Sequence, residues 1–295
     1  MRSGHPIRGA VLNAVELPPH LSFSQTSTFL SCGAKYRLER LEGHRGTPNW
    51  ASLGGSAVHG LTEARDRLLW EHGVQSDPVT VDEFRTEFEK YIVKEEELSG
   101  VGREHFRHTG RKSKDWPDKW GYDYWMVMGP QWVAGWESWC AMTPWTIINP
   151  IYQDTNVSPF FVSSIEMEFE LKLGTTKVRG AIDRVMEMPN GDLVVVDIKT
   201  SMRAPKSPEQ LGLYACAVES VYGVRPKYGA YWMARDGGTG PVFNLDRFSL
   251  EFMSARYGTV RGQMERGEFL ANPSDACSYC SVKQHCEIMR DEEVA

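Results

Sequence analysis

Nowhere among these 295 residues does an uninterrupted apolar run approach the roughly 20 residues that span a bilayer, so no membrane segment is expected. The N-terminal stretch MRSGHPIRGAVLNAVELPPH has no apolar signal core of adequate length, and the expected compartment is the cytoplasm. In that reducing setting the six cysteines are expected as thiols or metal ligands rather than disulfides. A Gly-x4-Gly-Lys-Ser/Thr loop is missing, which excludes a P-loop motor within this chain. Repeats, low-complexity tracts and an obvious interdomain linker are missing too. Excess charge is modest: 33 Lys and Arg against 39 Asp and Glu give −6, which argues against coating of nucleic acid by the whole surface but leaves room for a local basic groove.

What is present divides in texture. Residues 22–41 (SFSQTSTFLSCGAKYRLERL) begin with Ser/Thr caps and suit a helix or helix pair with Cys32 inside it. Gly54-Gly55 reads as a turn opening a helix over 56–71, with His59 in its first turn. From 81 to 145 the pattern is helical and rich in tryptophan, with Trp132, Trp136 and Trp139 on one face; core packing is favoured over base stacking. After Pro159 come short β runs: FFVSSIEMEFELKL, then KVRGAIDRVMEM, then a Pro189-Asn190-Gly191-Asp192 hairpin signal and LVVVDIKT. Pro205 to Pro208 ends the third run, PEQLGLYACAVESVYG reads as an amphipathic helix, KYGAYWMAR as a strand, and 248–267 as a last helix. The order is βββαβ. The fold class expected is thus mixed α/β, one domain over 1–295: a mostly helical part at 22–158, an α/β core at 159–270, and a cysteine-bearing tail at 271–295.

The chemistry concentrates in that core. Asp183 lies seven residues before Asn190 and Asp197 six after Gly191, so a hairpin sets them nearly opposite each other. Like charges placed there repel unless a cation joins them. Lys199 shares the face of Asp197, two residues on, where it can meet a phosphate or orient a water. An arbitrary Asp-x-Lys is usually a surface carboxylate with a compensating lysine. Here Asp197 follows Leu193-Val194-Val195-Val196, a buried-strand run in which an uncompensated charge is costly.

In these residues the chain resembles the PD-(D/E)xK nuclease superfamily, in its RecB-like and Cas4-like branch. GAIDRV and VVVDIKT resemble its metal-binding pair and active-site lysine, QLGLYA its trailing motif with Gln210 and Tyr214, and LGGSAVHG its upstream Gly-xxx-His motif with His59 as a further metal ligand. The resemblance also implies an acidic ligand on the preceding strand. SIEMEFE offers Glu166, Glu168 and Glu170, all on one face by period two, and Glu166 is favoured. The resemblance implies a restriction-endonuclease-like core, Mg²⁺ or Mn²⁺ on His59, Glu166, Asp183, Asp197 and the carbonyl of Ile198, and Lys199, Asp197, Asp183, Gln210 and Tyr214 as catalytic residues.

Cys277-x2-Cys280-x5-Cys286 leaves a metal or cluster one ligand short. The segment around Cys32 resembles the one that supplies the first cysteine of a [4Fe–4S] cluster in the Cas4-like relatives, which implies a cluster on Cys32, Cys277, Cys280 and Cys286 clamping the tail. A Cys₃His zinc knob with His285 or His44 is the alternative, because spacing does not choose a metal. Cys140 and Cys216 lie in apolar helical contexts. The segment 103–114 holds five basic residues against one Glu; Arg103, Arg107, Arg111, Lys112 and Lys114 are candidates for DNA contact, with a solvated loop as the equal alternative. Lys35, Arg37 and Arg40 form a second candidate patch. The expected activity is a metal-dependent DNA exonuclease with a single-strand preference, acting in recombination, repair or phage DNA processing. The alternatives are a Cas4-like subunit of a CRISPR adaptation or recombination complex, and a non-catalytic DNA-binding module with a structural metal.

Overall fold

The structure is a computed structural model that describes residues 16–148, 151–153 and 160–289. Residues 1–15 of the N-terminal stretch read for targeting and the boundary at Pro159 lie outside the described residues. Helix α1 (Phe23–Ser31) starts at Ser22, whose side chain accepts the N–H of Gln25. Cys32 then adopts extended backbone and opens α2 (Gly33–Tyr36), which runs on into a π-helical turn, Arg37–Leu41. Cys32 therefore sits at a break between two helices and not inside one.

Helix α3 (Trp50–Trp70) is capped by Asn49, so Gly54 and Gly55 lie within it and His59 is in its third turn rather than its first. The glycines serve close approach instead of turning the chain. A Cβ at Gly54 would stand 2.0 Å from the Trp125 ring, and one at Gly55 2.8 Å from Thr200 Oγ1. Helix α4 (Val81–Ser99) begins at a Thr80–Glu83 capping box and α5 (Tyr122–Met142) carries Pro130. Between them the chain is irregular but for a short 3₁₀ turn, so the helical reading of 81–145 holds only at its two ends.

The strands are β1 (Thr146–Ile147), β2 (Ile151–Gln153), β3 (Phe160–Val162), β4 (Ile165–Leu173), β5 (Thr176–Glu187) and β6 (Leu193–Lys199); after α6 (Glu209–Tyr222) come β7 (Tyr228–Met233), β8 (Gly238–Thr239), β9 (Phe243–Asn244) and α7 (Leu250–Glu265). The main sheet runs β1-β5-β6-β7-β8, with β4 also on β5 and β9 on β7, while β2 and β3 form a separate pair. Strands β4, β5 and β6 are antiparallel, and α6 carries the chain across to β7, which lies parallel to β6. The expected βββαβ order is the order observed, in a mixed α/β fold with seven α-helices among the described residues.

Two apolar cores share this sheet. One joins α6, α7 and the N-terminal helix α1 to Met167, Phe169, Val185, Val195 and Tyr231; the other joins α3, α4 and α5 to Ile165, Met186, Val196, Ile198 and Trp232. Residues 211–218 of α6 are all buried, which departs from the amphipathic helix expected there. Trp132 and Trp136 are buried, so the tryptophan stripe is core. Among the described residues no helix is long and apolar enough to cross a membrane.

The glycine contacts make a paired prediction. Gly54→Ala is expected to cost about 1–3 kcal/mol by overpacking against the buried Trp125. Gly258→Ala, in α7 where an added methyl meets nothing within 4 Å, should be neutral or stabilise by up to about 1 kcal/mol. Thermal or urea denaturation of the two variants checks both; a Gly54→Ala protein as stable as the parent would contradict the close helix–helix approach.

Candidate functional site

The β5–β6 ladder is registered Arg184↔Val196, which sets Asp183 opposite Asp197 one step further on. There the regular pairing gives way. Asp183 Oδ2 accepts the backbone N–H of Ile198 at 2.6 Å, so the carboxylate takes over a donor of the neighbouring strand. Both acids are buried, at 7% and 2% exposure for Asp183 and Asp197. A pair of carboxylates in that setting is stable only with protons, cations or both.

Lys199 is the cation supplied by the chain. Its Nζ lies 2.6 Å from Asp197 Oδ2 and donates to Gln210 Oε1 at 3.0 Å. Gln210 and Tyr214 stand one turn apart on α6, and Gln210 Nε2 donates to the Tyr214 hydroxyl at 2.7 Å. The lysine–aspartate contact is a close buried ion pair that partly offsets the cost of burying the Asp197 charge.

His59 reaches the same place from α3, its Nδ1 3.6 Å from Asp183 Oδ2. The close approach at Gly55 and Thr200 is what brings α3 down onto the C-terminal end of β6. Glu166 arrives in an unexpected way. It has a left-handed backbone, φ +46, which interrupts the alternation of β4: Ile165 joins the helical-half core, whereas Met167 and Phe169 join the other. The single face expected for Glu166, Glu168 and Glu170 is thus broken at Glu166; Glu168 and Glu170 are exposed, and Glu170 pairs with Arg179 and Lys177. Ligand atoms of His59, Glu166 and Asp183 lie within 4.8 Å of one another, and no other trio of His, Cys, Asp or Glu does so among the described residues. Two carboxylates and an imidazole make a donor set suited to a divalent cation, whereas Asp197 lies outside that trio with its Oδ2 against Lys199.

Burial first, and then the charge of Asp183, pushes the Asp197 carboxyl up to about 7 against the opposing pull of Lys199. The same two causes push Glu166 up to about 7, here opposed by Arg184. Burial also raises the Tyr214 hydroxyl well above its ordinary value, so Tyr214 stays a neutral hydrogen-bonding group.

The four cysteines expected to hold a cluster come to one place but do not form a tight group. Cys32, Cys277, Cys280 and Cys286 line a single cavity with Lys35 and Leu38, yet no three sulfurs among the described residues lie within 4.8 Å of one another. Backbone N–H groups of Asn272 and Ser274 point at Cys32 Sγ and Cys277 Sγ, at 3.5 and 3.4 Å. Next to this cavity His44 and His285 stack with ring centroids 3.9 Å apart. Cys216 is buried in one core and Cys140 packs against the other.

In the basic segment Arg103 is held by Glu89 and Glu96 at 2.8 and 2.7 Å, which commits its guanidinium within the fold. Arg107 pairs by its backbone with Pro48 and Asn49 at the start of α3, and its side chain is exposed together with those of Arg111, Lys112 and Lys114. The sequence reading passed over Arg184 and Asp66, which form a buried ion pair behind Glu166. The signal was a second charged residue directly after Asp183, between the apolar Ile182 and the Val185-Met186 pair.

A pH dependence follows from the raised carboxyls. The folded metal-free protein holds protons on Asp197 and Glu166 that the unfolded chain, with ordinary carboxylates, gives up near pH 4. Stability then falls as pH rises wherever the native state binds more protons. The melting temperature of the chelator-treated protein is expected to fall between about pH 5 and pH 8, and Asp197→Asn should flatten that slope. A melting temperature constant over this interval would contradict the shifts.

A family model described as the PD-(D/E)XK nuclease superfamily matches residues 20–287, a span that contains both strands of the carboxylate pair, α3 with His59, and the tail. The Gene 69 protein of Mycobacterium phage D29 is 28% identical over 289 residues, covering 92% of this chain and 98% of that protein. A crystal structure of SSO0001 aligns with 43% of this chain and 60% of its own length, at 20% identity and a TM-score of 0.29. With a match running almost from end to end over the geometry just described, the chain belongs to the PD-(D/E)XK nuclease superfamily, whose members carry out metal-dependent cleavage of nucleic acids.

Proposed function

We propose that this protein is a Mg²⁺- or Mn²⁺-dependent deoxyribonuclease, and specifically an exonuclease of the RecB-like and Cas4-like kind that prefers single-stranded DNA. The observation that carries the reading is the meeting of His59, Glu166 and Asp183 beside the buried Asp197–Lys199 pair. Of the residues present, His59, Glu166, Asp183, Asp197 and the Ile198 carbonyl would hold the divalent ion. Such an ion supplies Lewis acidity toward water and phosphate.

The chain's own residues do the rest. The Lys199 ammonium is a donor without acceptor capacity, so it meets a phosphate oxygen and stabilises the charge that grows there as the phosphodiester bond breaks. Gln210 holds that ammonium through its Oε1, and Tyr214 holds Gln210, so the lysine keeps its direction when its pairing with Asp197 loosens. Ser56, His59, Gly60 and Tyr91 line an open cleft that also exposes Glu166, a course by which a strand could reach the acids. Arg107, Arg111, Lys112 and Lys114 follow the phosphate backbone beyond it; Arg103, already paired, is a scaffold for that segment. The whole chain acts as one nuclease domain, and the likeness to a phage protein favours phage DNA processing over a CRISPR adaptation or recombination complex.

The test is cleavage of end-labelled single- and double-stranded DNA with and without Mn²⁺. The wild type should degrade DNA from an end only when the metal is present. Lys199→Ala should lower the rate by at least about 100-fold while leaving the fold intact, as loss of a transition-state donor does. Near wild-type cleavage by Lys199→Ala would overturn the assignment.

For the tail we propose a [4Fe–4S] cluster on Cys32, Cys277, Cys280 and Cys286. Support comes from four thiols around one cavity and N–H groups aimed at two of the sulfurs. Asn272 Nδ2 donates to the carbonyl of Ser31, and the N–H of Ala34 in α2 donates to the carbonyl of Leu270 at 3.2 Å, so the cluster would tie the two ends of the chain together. Anaerobically purified protein should contain roughly four irons per chain and absorb broadly in the blue-violet. Cys32→Ser should lose the iron and lower the melting temperature, whereas Cys216→Ser should keep it. Stoichiometric zinc without iron would contradict the cluster.

A further inference from the structure

Arg184 is fully buried in the strand position directly after Asp183. Its guanidinium has three partners from three parts of the fold. Nε donates to Asp66 Oδ2 of α3 at 2.6 Å, Nη1 donates to the main-chain carbonyl of Asp183 at 2.6 Å, and the same nitrogen lies 3.4 Å from Glu166 Oε1. Asp66 is in turn fixed by Trp136 of α5, whose Nε1 donates to the same Oδ2 at 2.8 Å, while the guanidinium lies 5.5 Å from the Trp136 ring centroid. Its Nη2 has no hydrogen-bond partner.

A buried ion pair with one donor unsatisfied is a poor device for stability alone, since well-packed apolar residues often do as well. What a planar, rigid fork does that apolar residues cannot is to join two groups at a set spacing. Here it joins the main chain of Asp183 to the carboxylate of Glu166. Glu166 needs such a restraint: its left-handed backbone persists only where the surroundings impose it, and β4 changes face there. We propose that Arg184 is a positioning residue which, anchored by Asp66 and Trp136, sets the Glu166 carboxylate and Asp183 at the separation a divalent cation requires. The inference rests on the reading of His59, Glu166 and Asp183 as a metal site, and extends it to a buried chain of three residues drawn from β5, α3 and α5.

The experiment is Mn²⁺ binding measured by electron paramagnetic resonance of the free ion, with melting temperatures recorded in parallel. The proteins are the full-length wild type, Arg184→Lys, the neutral pair Asp66→Asn with Arg184→Gln, and Trp136→Phe. Loss of a group that orients metal ligands typically weakens affinity by about 10–100-fold, and that range is expected for Arg184→Lys and the neutral pair. Trp136→Phe, which removes the N–H to Asp66 together with part of the buried ring, should weaken binding several-fold. A strut serving stability alone would lower the melting temperature and leave the Mn²⁺ affinity of the folded protein unchanged. Wild-type affinity in Arg184→Lys or the neutral pair overturns the proposal. If neither of these folds, wild-type affinity in Trp136→Phe overturns it. A wild type that binds no Mn²⁺ overturns the metal reading and this inference with it, whereas tight wild-type binding with unchanged variants overturns this inference alone.

Discussion

Two buried carboxylates, Asp183 and Asp197, face each other across one step of a β-ladder, and the repulsion between them is the constraint the rest of the molecule answers. Burial first, and then that repulsion, raises the Asp197 carboxyl. The chain supplies a partial remedy in Lys199 and in the Ile198 N–H that Asp183 captures. The stored preference for a cation is a property of the fold, and it explains why a histidine and a further glutamate converge on the same point.

The two halves of the protein divide the work of answering it. The sheet with α6 carries the aspartates and the lysine with its Gln210–Tyr214 brace. The helical half delivers His59, and it can do so because glycine at 55 lets α3 come against Thr200. Glu166 lies at the seam, where β4 passes from one core to the other. Local backbone strain at the junction of two packed cores is where a fold can set a ligand that regular alternation would point elsewhere.

Much of this was legible in the chain. Asp183 and Asp197 could be set opposite each other because a hairpin with an Asn-Gly turn fixes register by counting, and the βββαβ order followed from strand signals and a helix pattern between the third and fourth strands. Tertiary approach was not legible. Gly54-Gly55 reads as a turn by composition, and only the ring of Trp125 and the hydroxyl of Thr200 reveal that the glycines sit inside a helix and make room. The period of two that grouped Glu166 with Glu168 and Glu170 failed because a positive φ on a non-glycine residue carries no sequence signature. The basic segment was read by charge alone, which cannot tell Arg103, held by Glu89 and Glu96, from its exposed neighbours. The gathering of Cys32 with three distant cysteines was expected from resemblance, and their wider spacing is geometry that a spacing pattern does not hold.

The central claim is that one divalent cation belongs between α3 and the β4–β5–β6 face of the sheet. Crystals soaked in Mn²⁺ and measured near the manganese absorption edge test it most directly. The account predicts a single strong anomalous peak within coordinating distance of His59, Glu166 and Asp183, with Asp197 adjoining. A peak elsewhere, or none in this position at saturating Mn²⁺, would contradict it.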